Sequence, residues 1–230
     1  MVARSGGCFP GTSRVRTEDG RLLPLSQVAL GDRVLSFDDA TGSLRYDDVI
    51  SFLHRSEAGT GHTTFVQISV AGGASITLTG DHLIYVSDTA SEDDIRPRLA
   101  GKVVRGDYVF CANSSVVVVS EVVGVDVIHA NEGFYAPLTS TGNIVIDDVI
   151  SSCYAEVTSH RLAHLAMAPI RLAYLFARYL GHERTMSSLQ SDSRGIHPYA
   201  ALLRTVADYF LPGSISKQVV NRPYTACDTL

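Results

Sequence analysis

The stretch LSQVALGDRV, Leu25–Val34, returns later in the chain as LAGKVVRGDYV, Leu99–Val109, with one extra residue. Both copies end in Gly-Asp-x-Val. A second pair of similar segments follows in the same order, YDDVIS at Tyr46–Ser51 and IDDVIS at Ile146–Ser151. Gly-Asp turns and Val-Ile strands also recur by chance, but two matches in one order favour an internal duplication. We therefore expect two related β subdomains.

Strand and turn signals extend from Cys8 to about Ser152. Phe65–Val70 and Ser75–Thr79 each alternate apolar and polar residues, and an Ala-Gly-Gly sequence separates them, which predicts a hairpin. Two further segments are rich in β-branched residues, which suit the half-buried surface of a sheet: Val116–Val119 and Val122–Ile128. This part of the chain is predicted to be all-β.

The periodicity changes to that of helices after Tyr154. Apolar residues recur at helical spacing over Leu162–Leu180, where Pro169 should start, end or kink a helix. A polar stretch over 181–195 precedes a second apolar segment, Ile196–Leu211, which stops at a Pro-Gly pair. We expect two short helices at the edge of the β domain.

The composition is that of a globular protein with a core, because 45% of the 230 residues are hydrophobic and 19% are charged. A net charge of −5 argues against nucleic-acid binding, and no apolar run reaches the ~20 residues of a membrane span. No secretory signal opens the chain, and we interpret residues 1–7 as the end of a longer upstream segment. The cysteines are too few for a disulfide scaffold and lack zinc-site spacing: Cys8, Cys111, Cys153 and Cys227.

Five short motifs occur together in an order and at a spacing that resemble the C-terminal domain of hedgehog proteins. They are GCFPG at Gly7–Gly11, LGDRVL at Leu30–Leu35, Leu78-Thr79-x-x-His82-Leu83, APLT at Ala136–Thr139, and SSCYA at Ser151–Ala155. The resemblance runs from about Ser5 to about Tyr209. It implies a mainly β protein with the pseudo-twofold Hint fold that inteins share, made of two related β subdomains with a short C-terminal helical appendix.

The same resemblance implies a division of the chain into three parts. Residues 1–7 would be the remnant of an upstream signalling segment, 8–151 the Hint autoprocessing domain, and 152–230 a sterol-recognition region. Two segments of the last part look like the family's sterol-recognition sequence: AMAPIRL at Ala166–Leu172 and HPY at His197–Tyr199.

Cys8 is the candidate nucleophile. Its thiol stands one residue past the carbonyl of Gly7, so attack on that carbonyl closes a five-membered ring and converts the Gly7–Cys8 amide into a thioester, an N-to-S acyl shift. Gly7 has no Cβ and leaves the carbonyl open. The alternative is an ordinary core cysteine, which the surrounding motifs disfavour.

Thr79 and His82 are the candidate groups that act on the scissile amide. In resembling domains these positions contact that amide, so His82 would hydrogen-bond to the leaving nitrogen and later protonate it, while Thr79 would position the peptide unit. The alternatives are a structural histidine and a threonine that only fills a strand.

Cys153 takes the place where inteins carry their C-terminal splice residues. Ser151-Ser152 precede it in place of the intein His-Asn, so cleavage is expected at one end only. The resemblance implies that Cys153 influences the nucleophile, and a buried inert thiol is the alternative. A Cys8–Cys153 disulfide would need Cα atoms within ~7 Å. Cys111 is interpreted as a packing residue, and Cys227 has no assigned role.

His54 is the one serious departure from the family, which has Phe-Leu-Asp-Arg where this chain reads Phe52-Leu53-His54-Arg55. The family resolves the thioester with the 3β-hydroxyl of cholesterol, and its Asp supplies the general base that a poor nucleophile needs. His54 would be a replacement base, a change that impairs sterol transfer, or a surface histidine. As a replacement base, its change to alanine is predicted to leave thioester formation intact and to slow sterol transfer.

The sterol-binding candidates lie in the two apolar segments after Tyr154. An apolar groove or a membrane-facing surface built from them would bind sterol, whereas ordinary packing on the β core is the alternative for each single residue. The candidates are Leu165, Met167, Ile170, Tyr174, Tyr199 and Leu203.

The resemblance thus predicts a self-cleaving, cysteine-dependent cholesterol transferase. It implies no cofactor or resident metal, cholesterol as second substrate, zinc only as an inhibitor, and the chain's own upstream signalling domain as partner. It places the protein in the secretory pathway, in the endoplasmic reticulum lumen, with released fragments secreted. Competing interpretations are a hydrolytic or impaired Hint domain and a non-catalytic sterol- or membrane-binding module.

Overall fold

The computed structural model describes residues 7–57, 63–91, 94–155, 160–181 and 195–203. Predictions for residues 1–6, for 204–211 and for Cys227 lie outside this part. The strands are β1 Phe9–Pro10, β2 Arg14–Arg16, β3 Leu22–Pro24, β4 Arg33–Asp38, β5 Ser43–Ser56, β6 Thr63–Val70, β7 Ser75–Leu78, β8 His82–Ser87, β9 Arg96–Leu99, β10 Tyr108–Asn113, β11 Val116–Ala130, β12 Phe134–Thr139, β13 Asn143–Ile146, β14 Val149–Ala155 and β15 Gly195–Ile196.

Two large sheets contain most of these strands, and the predicted mainly β architecture is confirmed. One has the order β1-β12-β5-β15, with β4 also paired to β5. The other has the order β13-β14-β8-β10-β11-β6-β7, with β9 on β8. The predicted hairpin is present as β6 and β7, whereas the two predicted valine-rich strands form the single strand β11, which has a bulge between Val122 and Gly124.

The duplicated Gly-Asp segments have the same structure. Each follows a 3-10 turn, Leu25–Gln27 or Ala100–Lys102. In each, the glycine has a positive φ, 87° in Gly31 and 91° in Gly106, which costs a residue without a Cβ little. The next residue, an aspartate, accepts a hydrogen bond on its carboxylate from the amide three residues earlier, 2.8 Å in both copies. The repeat therefore encodes a turn that is built twice.

The second sequence match, Tyr46–Ser51 with Ile146–Ser151, does not join structurally equivalent positions. Asp47 and Asp48 lie within the long strand β5, but Asp147 and Asp148 form the turn between β13 and β14 with φ values of 50° and 64°. The hydrogen bonds to the duplicated turns show the true equivalents. The amide of Val49 donates to Asp32 at 2.9 Å, and the amide of Val122, not that of Val149, donates to Asp107 at 2.8 Å.

The predicted helix boundary at Pro169 is present. Helix α1 spans His160–Ala166 and α2 spans Ala168–Tyr179, with Pro169 in the first turn of α2, where a missing amide hydrogen costs nothing. Arg178 of α2 forms an ion pair with Asp48 of β5. The outer face of α2 is apolar, since Leu172, Phe176 and Tyr179 are 64%, 65% and 86% exposed. None of the described helices has the length and apolarity to span a membrane.

The second predicted helix begins later than expected. Ile196 lies in strand β15, which pairs with β5 opposite Arg55 and His54, and helical residues occupy 198–203. The amide of His197 donates to the carbonyl of Leu53 at 2.9 Å. An edge of β5 left open by other strands thus captures the segment that periodicity alone assigns to a helix.

Candidate active site

Cys8 is held at the junction that sequence reasoning singled out. The amide of Cys8 donates to Thr79 Oγ1 at 3.0 Å, and the amide of Thr79 donates back to the Cys8 carbonyl at 2.9 Å. Cys8 is completely buried, and the next residues form β1, which pairs with β12. These contacts fix the peptide nitrogen that would leave in a cleavage reaction.

His82, at the start of β8, lies against the Gly7 side of the same bond. It is completely buried, and its ring packs 4.3 Å from that of Phe9, centroid to centroid. Nε2 lies 2.7 Å from the carbonyl oxygen of Ser152. Because a carbonyl only accepts hydrogen bonds, Nε2 carries the proton of the neutral ring and Nδ1 keeps its lone pair.

The Nδ1 atom of His82 is buried and has no hydrogen-bond partner among the described residues. It faces Gly7, since a methyl group added to that glycine would lie 3.1 Å from it. Burial lowers the pKa of His82 from 6.5 to about 4, although the Ser152 and Gly7 backbones partly oppose the shift. The ring is therefore neutral near pH 7 and presents an unpaired base to the Gly7–Cys8 junction.

His54 lies on the opposite side, beside the thiol. Its Nδ1 is 3.4 Å from Cys8 Sγ, and its ring packs edge-on at 4.6 Å from that of Phe134. The side chain is only 8% exposed. The alternative of a surface histidine is therefore wrong. Because β12 and β15 pair with β5 on either side of His54, the sheet fixes its backbone.

Cys153 is an internal thiol in β14. It is 1% exposed and lies 3.6 Å from Thr139 Oγ1, and burial raises its pKa to about 12. Cys111, in β10, is also buried, and burial raises its pKa as well. Cys8, Cys111 and Cys153 form no disulfide within the described residues. Cys153 is therefore protonated at neutral pH, and its influence on Cys8 stays a prediction.

The sterol-binding candidates divide by burial. Met167 and Tyr174 belong to the main core cluster, and Leu165 is 69% exposed. The other three are half-buried and pack on that cluster: Ile170, Tyr199 and Leu203. Five of the six thus belong to or pack on the main core cluster, and their contact with sterol stays a prediction.

Sequence reasoning missed two residues around His82. One is Ser152, whose carbonyl accepts a hydrogen bond from His82 Nε2. The sequence drew attention to it only because an intein has asparagine at this position. His160 of α1 lies 2.9 Å through Nδ1 from Ser152 Oγ. Its position at a helix start offered no sequence signal, since the contact depends on how α1 docks. Within the described residues no cluster of three His, Cys, Asp or Glu side chains could hold a metal ion, and zinc inhibition stays a prediction.

Comparison with known proteins gives one family. Residues 1–212 match the Hint module. The chain is 34% identical over 221 residues to Sonic hedgehog protein of Danio rerio, covering 94% of this chain and 52% of that protein. It is 35% identical over 233 residues to Protein hedgehog of Drosophila virilis, covering 93% and 46%. The chain thus spans about half the length of the curated relatives it matches.

Solved structures give the same fold. A KlbA intein precursor from Methanococcus jannaschii matches with a TM-score of 0.55 at 16% identity, covering 70% of this chain and 98% of the intein. An intein from a hyperthermophile matches with a TM-score of 0.51 at 15% identity, covering 64% and 99%. At these identities the likeness concerns the backbone architecture alone.

Proposed function

The chain belongs to the Hint module family and is similar to hedgehog proteins over more than nine-tenths of its length, and on this premise we propose that it cleaves its own backbone between Gly7 and Cys8 and transfers the upstream acyl group to a sterol. The observation that carries the proposal is the placement of one residue. Cys8 has its amide on Thr79 at 3.0 Å and its thiol beside His54 at 3.4 Å. Side chains thus contact both the nitrogen that would leave and the sulfur that would attack in an N-to-S acyl shift.

In the first step, the sulfur of Cys8 bonds to the Gly7 carbonyl carbon and the carbon–nitrogen bond breaks. His54 Nδ1 is the base nearest the thiol proton. The leaving nitrogen gains one proton as the thiol loses one, so the step balances. His82 Nδ1, the buried base on that side, is the proposed relay that takes up a proton and passes it to the nitrogen. With a pKa of about 4, a protonated His82 is a strong acid toward an amine and would deliver its proton readily.

In the second step, a sterol hydroxyl attacks the thioester carbonyl. The oxygen–carbon bond forms, the carbon–sulfur bond breaks, and the hydroxyl proton returns to the Cys8 sulfur through a base. His54 is the candidate base. Support comes from its neighbours, since β15 and the amide of His197 attach to β5 at His54 and Leu53. The last described helical segment, residues 198–203, therefore begins close to this base.

The acceptor we propose is cholesterol, drawn from a bilayer by the apolar outer face of α2. Arg178 of the same helix pairs with Asp48 of β5 and so links α2 to the sheet that carries His54. The upstream partner is a signalling domain, and the compartment is the endoplasmic reticulum lumen of the secretory pathway. The hedgehog relatives, which match the chain along most of its length, support the upstream signalling domain and the secretory pathway.

The function is tested by fusing a reporter protein upstream of the full chain. We expect release of the reporter with dithiothreitol, release with cholesterol, and little release with neither. Mass spectrometry of the cholesterol reaction should find the mass of a sterol ester on the reporter's terminal glycine. A free acid would instead identify a hydrolytic Hint domain, and no release under any condition would identify a non-catalytic module.

A His54→Ala change should slow both steps, which differs from the expectation based on sequence alone. Because His54 Nδ1 is the base beside the thiol, its loss should slow dithiothreitol-driven cleavage by about 10²-fold, the low end of the range for a lost general base. Sterol-driven cleavage should fall further, since an alcohol needs its base more. The measurement is the rate of each reaction at saturating dithiothreitol or sterol.

Two variants make this test specific. His54→Asp restores the family's residue and should recover sterol transfer, while His129→Ala, an exposed histidine of β11, should change neither rate. If His54→Ala slows only the sterol reaction, the thiol needs no base. If both reactions keep the parental rate, His54 is no base at all.

A further inference from the structure

Ser152 connects the catalytic histidine to the helical appendix. Its carbonyl oxygen accepts the Nε2 proton of His82 at 2.7 Å, and its hydroxyl lies 2.9 Å from His160 Nδ1. The amide of Tyr154 donates to the same hydroxyl oxygen at 3.0 Å. Ser152 and His82 are fully buried, and His160 is 5% exposed. A continuous buried path therefore runs from α1 to the ring that faces Gly7.

Backbone hydrogen bonds hold the Ser152 carbonyl from one side, since the amide of Cys153, in the same peptide unit, donates to the carbonyl of Gly142 at 2.8 Å. Strand β14 pairs with β8 at Ser151 and again at Ala155, with a register shift between the two positions. Ser152 falls inside that irregular stretch, and its pairing partner on the other side, Asn143, is the first residue of β13. On the β8 side the ladder is interrupted, and there the side-chain hydrogen bonds of Ser152 add to the hold on this peptide unit.

Helix α1 is held firmly enough to serve this purpose. The ring of His160 packs 5.2 Å from that of Tyr154 and 5.7 Å from that of Tyr85, and it stacks on His164 at 5.7 Å. His164 Nδ1 is 2.9 Å from the Tyr154 hydroxyl. Burial, with nearby His164 and Arg171, lowers the pKa of His160 to about 4 although Asp39 opposes the shift, so the ring is neutral near pH 7.

We propose that His160 is a positioning residue for the cleavage reaction: through the hydroxyl of Ser152 it fixes the carbonyl that keeps the His82 proton on Nε2 and the Nδ1 lone pair on the scissile bond. The inference rests on the proposed function. According to this inference, α1 contributes to thioester formation by Cys8, although it lies in the region predicted to recognise sterol. An undocked α1 would leave His82 free to exchange its proton between the two nitrogens.

The test uses the full chain with an upstream reporter. His160→Phe keeps the aromatic packing but loses the hydrogen bond, and it should slow dithiothreitol-driven cleavage about 10- to 100-fold, the cost of a slightly misplaced catalytic group. His160→Asn keeps a polar atom near the place of Nδ1 and should recover most of the rate. Ser152→Ala should match His160→Phe, and the double variant should be no slower than either, since both remove one bond.

A spectroscopic measurement separates positioning from folding. In a Cys8→Ala background, which cannot cleave, ¹⁵N NMR of the His82 ring should report a single Nε2–H tautomer, and His160→Phe should give a mixture. Parental rates together with an unchanged His82 spectrum in His160→Phe would overturn the inference. If the parent itself fails to cleave with dithiothreitol, the proposed function fails, while the tautomer measurement still decides the role of His160.

Discussion

Replacing His82 by alanine should lower the rate of dithiothreitol-driven cleavage by about 10³-fold, the middle of the range for a lost general acid or base. The amide nitrogen of Cys8 leaves as an amine and must gain a proton, and the buried Nδ1 of His82 is the base that faces this junction. Without it, cleavage depends on water, which the complete burial of Cys8 excludes. The rate is measured by gel with the reporter fusion.

His82→Gln is the matched control for structure. Glutamine can still donate to the Ser152 carbonyl in place of Nε2, but it offers no base toward Gly7. We expect this variant to fold with a parental melting temperature and to cleave as slowly as His82→Ala. A His82→Gln chain that cleaves at the parental rate would reduce His82 to a structural residue.

The acid side of the pH profile follows from the burial of His82. Its folded pKa is about 4, so the ring stays neutral as the pH falls from 8 to 5, and the parental cleavage rate should show no loss from His82 in that window. Stability behaves differently. Unfolded His82 takes up a proton near 6.5 and the folded ring only near 4, so the free energy of unfolding falls as the pH drops between these values. His82→Gln should show a smaller fall in urea titrations.

Local patterns could predict most of the fold and three of the site residues. Gly31-Asp32 and Gly106-Asp107 form a turn whose geometry depends on those residues themselves, so the sequence repeat predicted a structural repeat. Cys8 and the pair Thr79 and His82 stand in short motifs. The match between YDDVIS and IDDVIS gave a wrong prediction of equivalent positions, because the same residue types adopt different backbone conformations. Strand β5 extends through Asp47, whereas the chain turns at Asp147 between β13 and β14.

Long-range contacts account for the rest. The thiol of Cys8 meets His54 across 46 residues, and Ser152 meets His82 across 70. No local period encodes either distance. The motif comparison exposed His54 only as a departure, without saying that it would touch the nucleophile. Ile196 joined a strand because β5 offered it an open edge, a condition that lies outside its own segment.

A Gly7→Ala change should lower thiol-driven cleavage by at least about 10²-fold, because a displacement of the reacting carbonyl by ~1 Å has that cost. A methyl group on Gly7 would lie 1.8 Å from the Cβ of Ala155 and 3.1 Å from His82 Nδ1. Neither neighbour can yield easily, since Ala155 pairs with His82 across β14 and β8. The scissile peptide must move instead. Gly124→Ala, whose new methyl would meet Ser69 at an ordinary 3.6 Å, is the control and should cleave normally.

Removing the Ala155 side chain tests whether the steric clash with Ala155 causes this loss of rate. In the double variant Gly7→Ala with Ala155→Gly, the closest contact is gone and the remaining ones, 3.1 Å to His82 Nδ1 and 3.3 Å to the Cα of residue 155, require shifts of only a few tenths of an ångström. We expect the double variant to recover part of the rate although Ala155→Gly alone gains nothing. Such a coupling is the signature of two side chains competing for one space. If the double variant stays as slow as Gly7→Ala, the glycine is needed for its backbone freedom and not for the narrow gap beside Ala155.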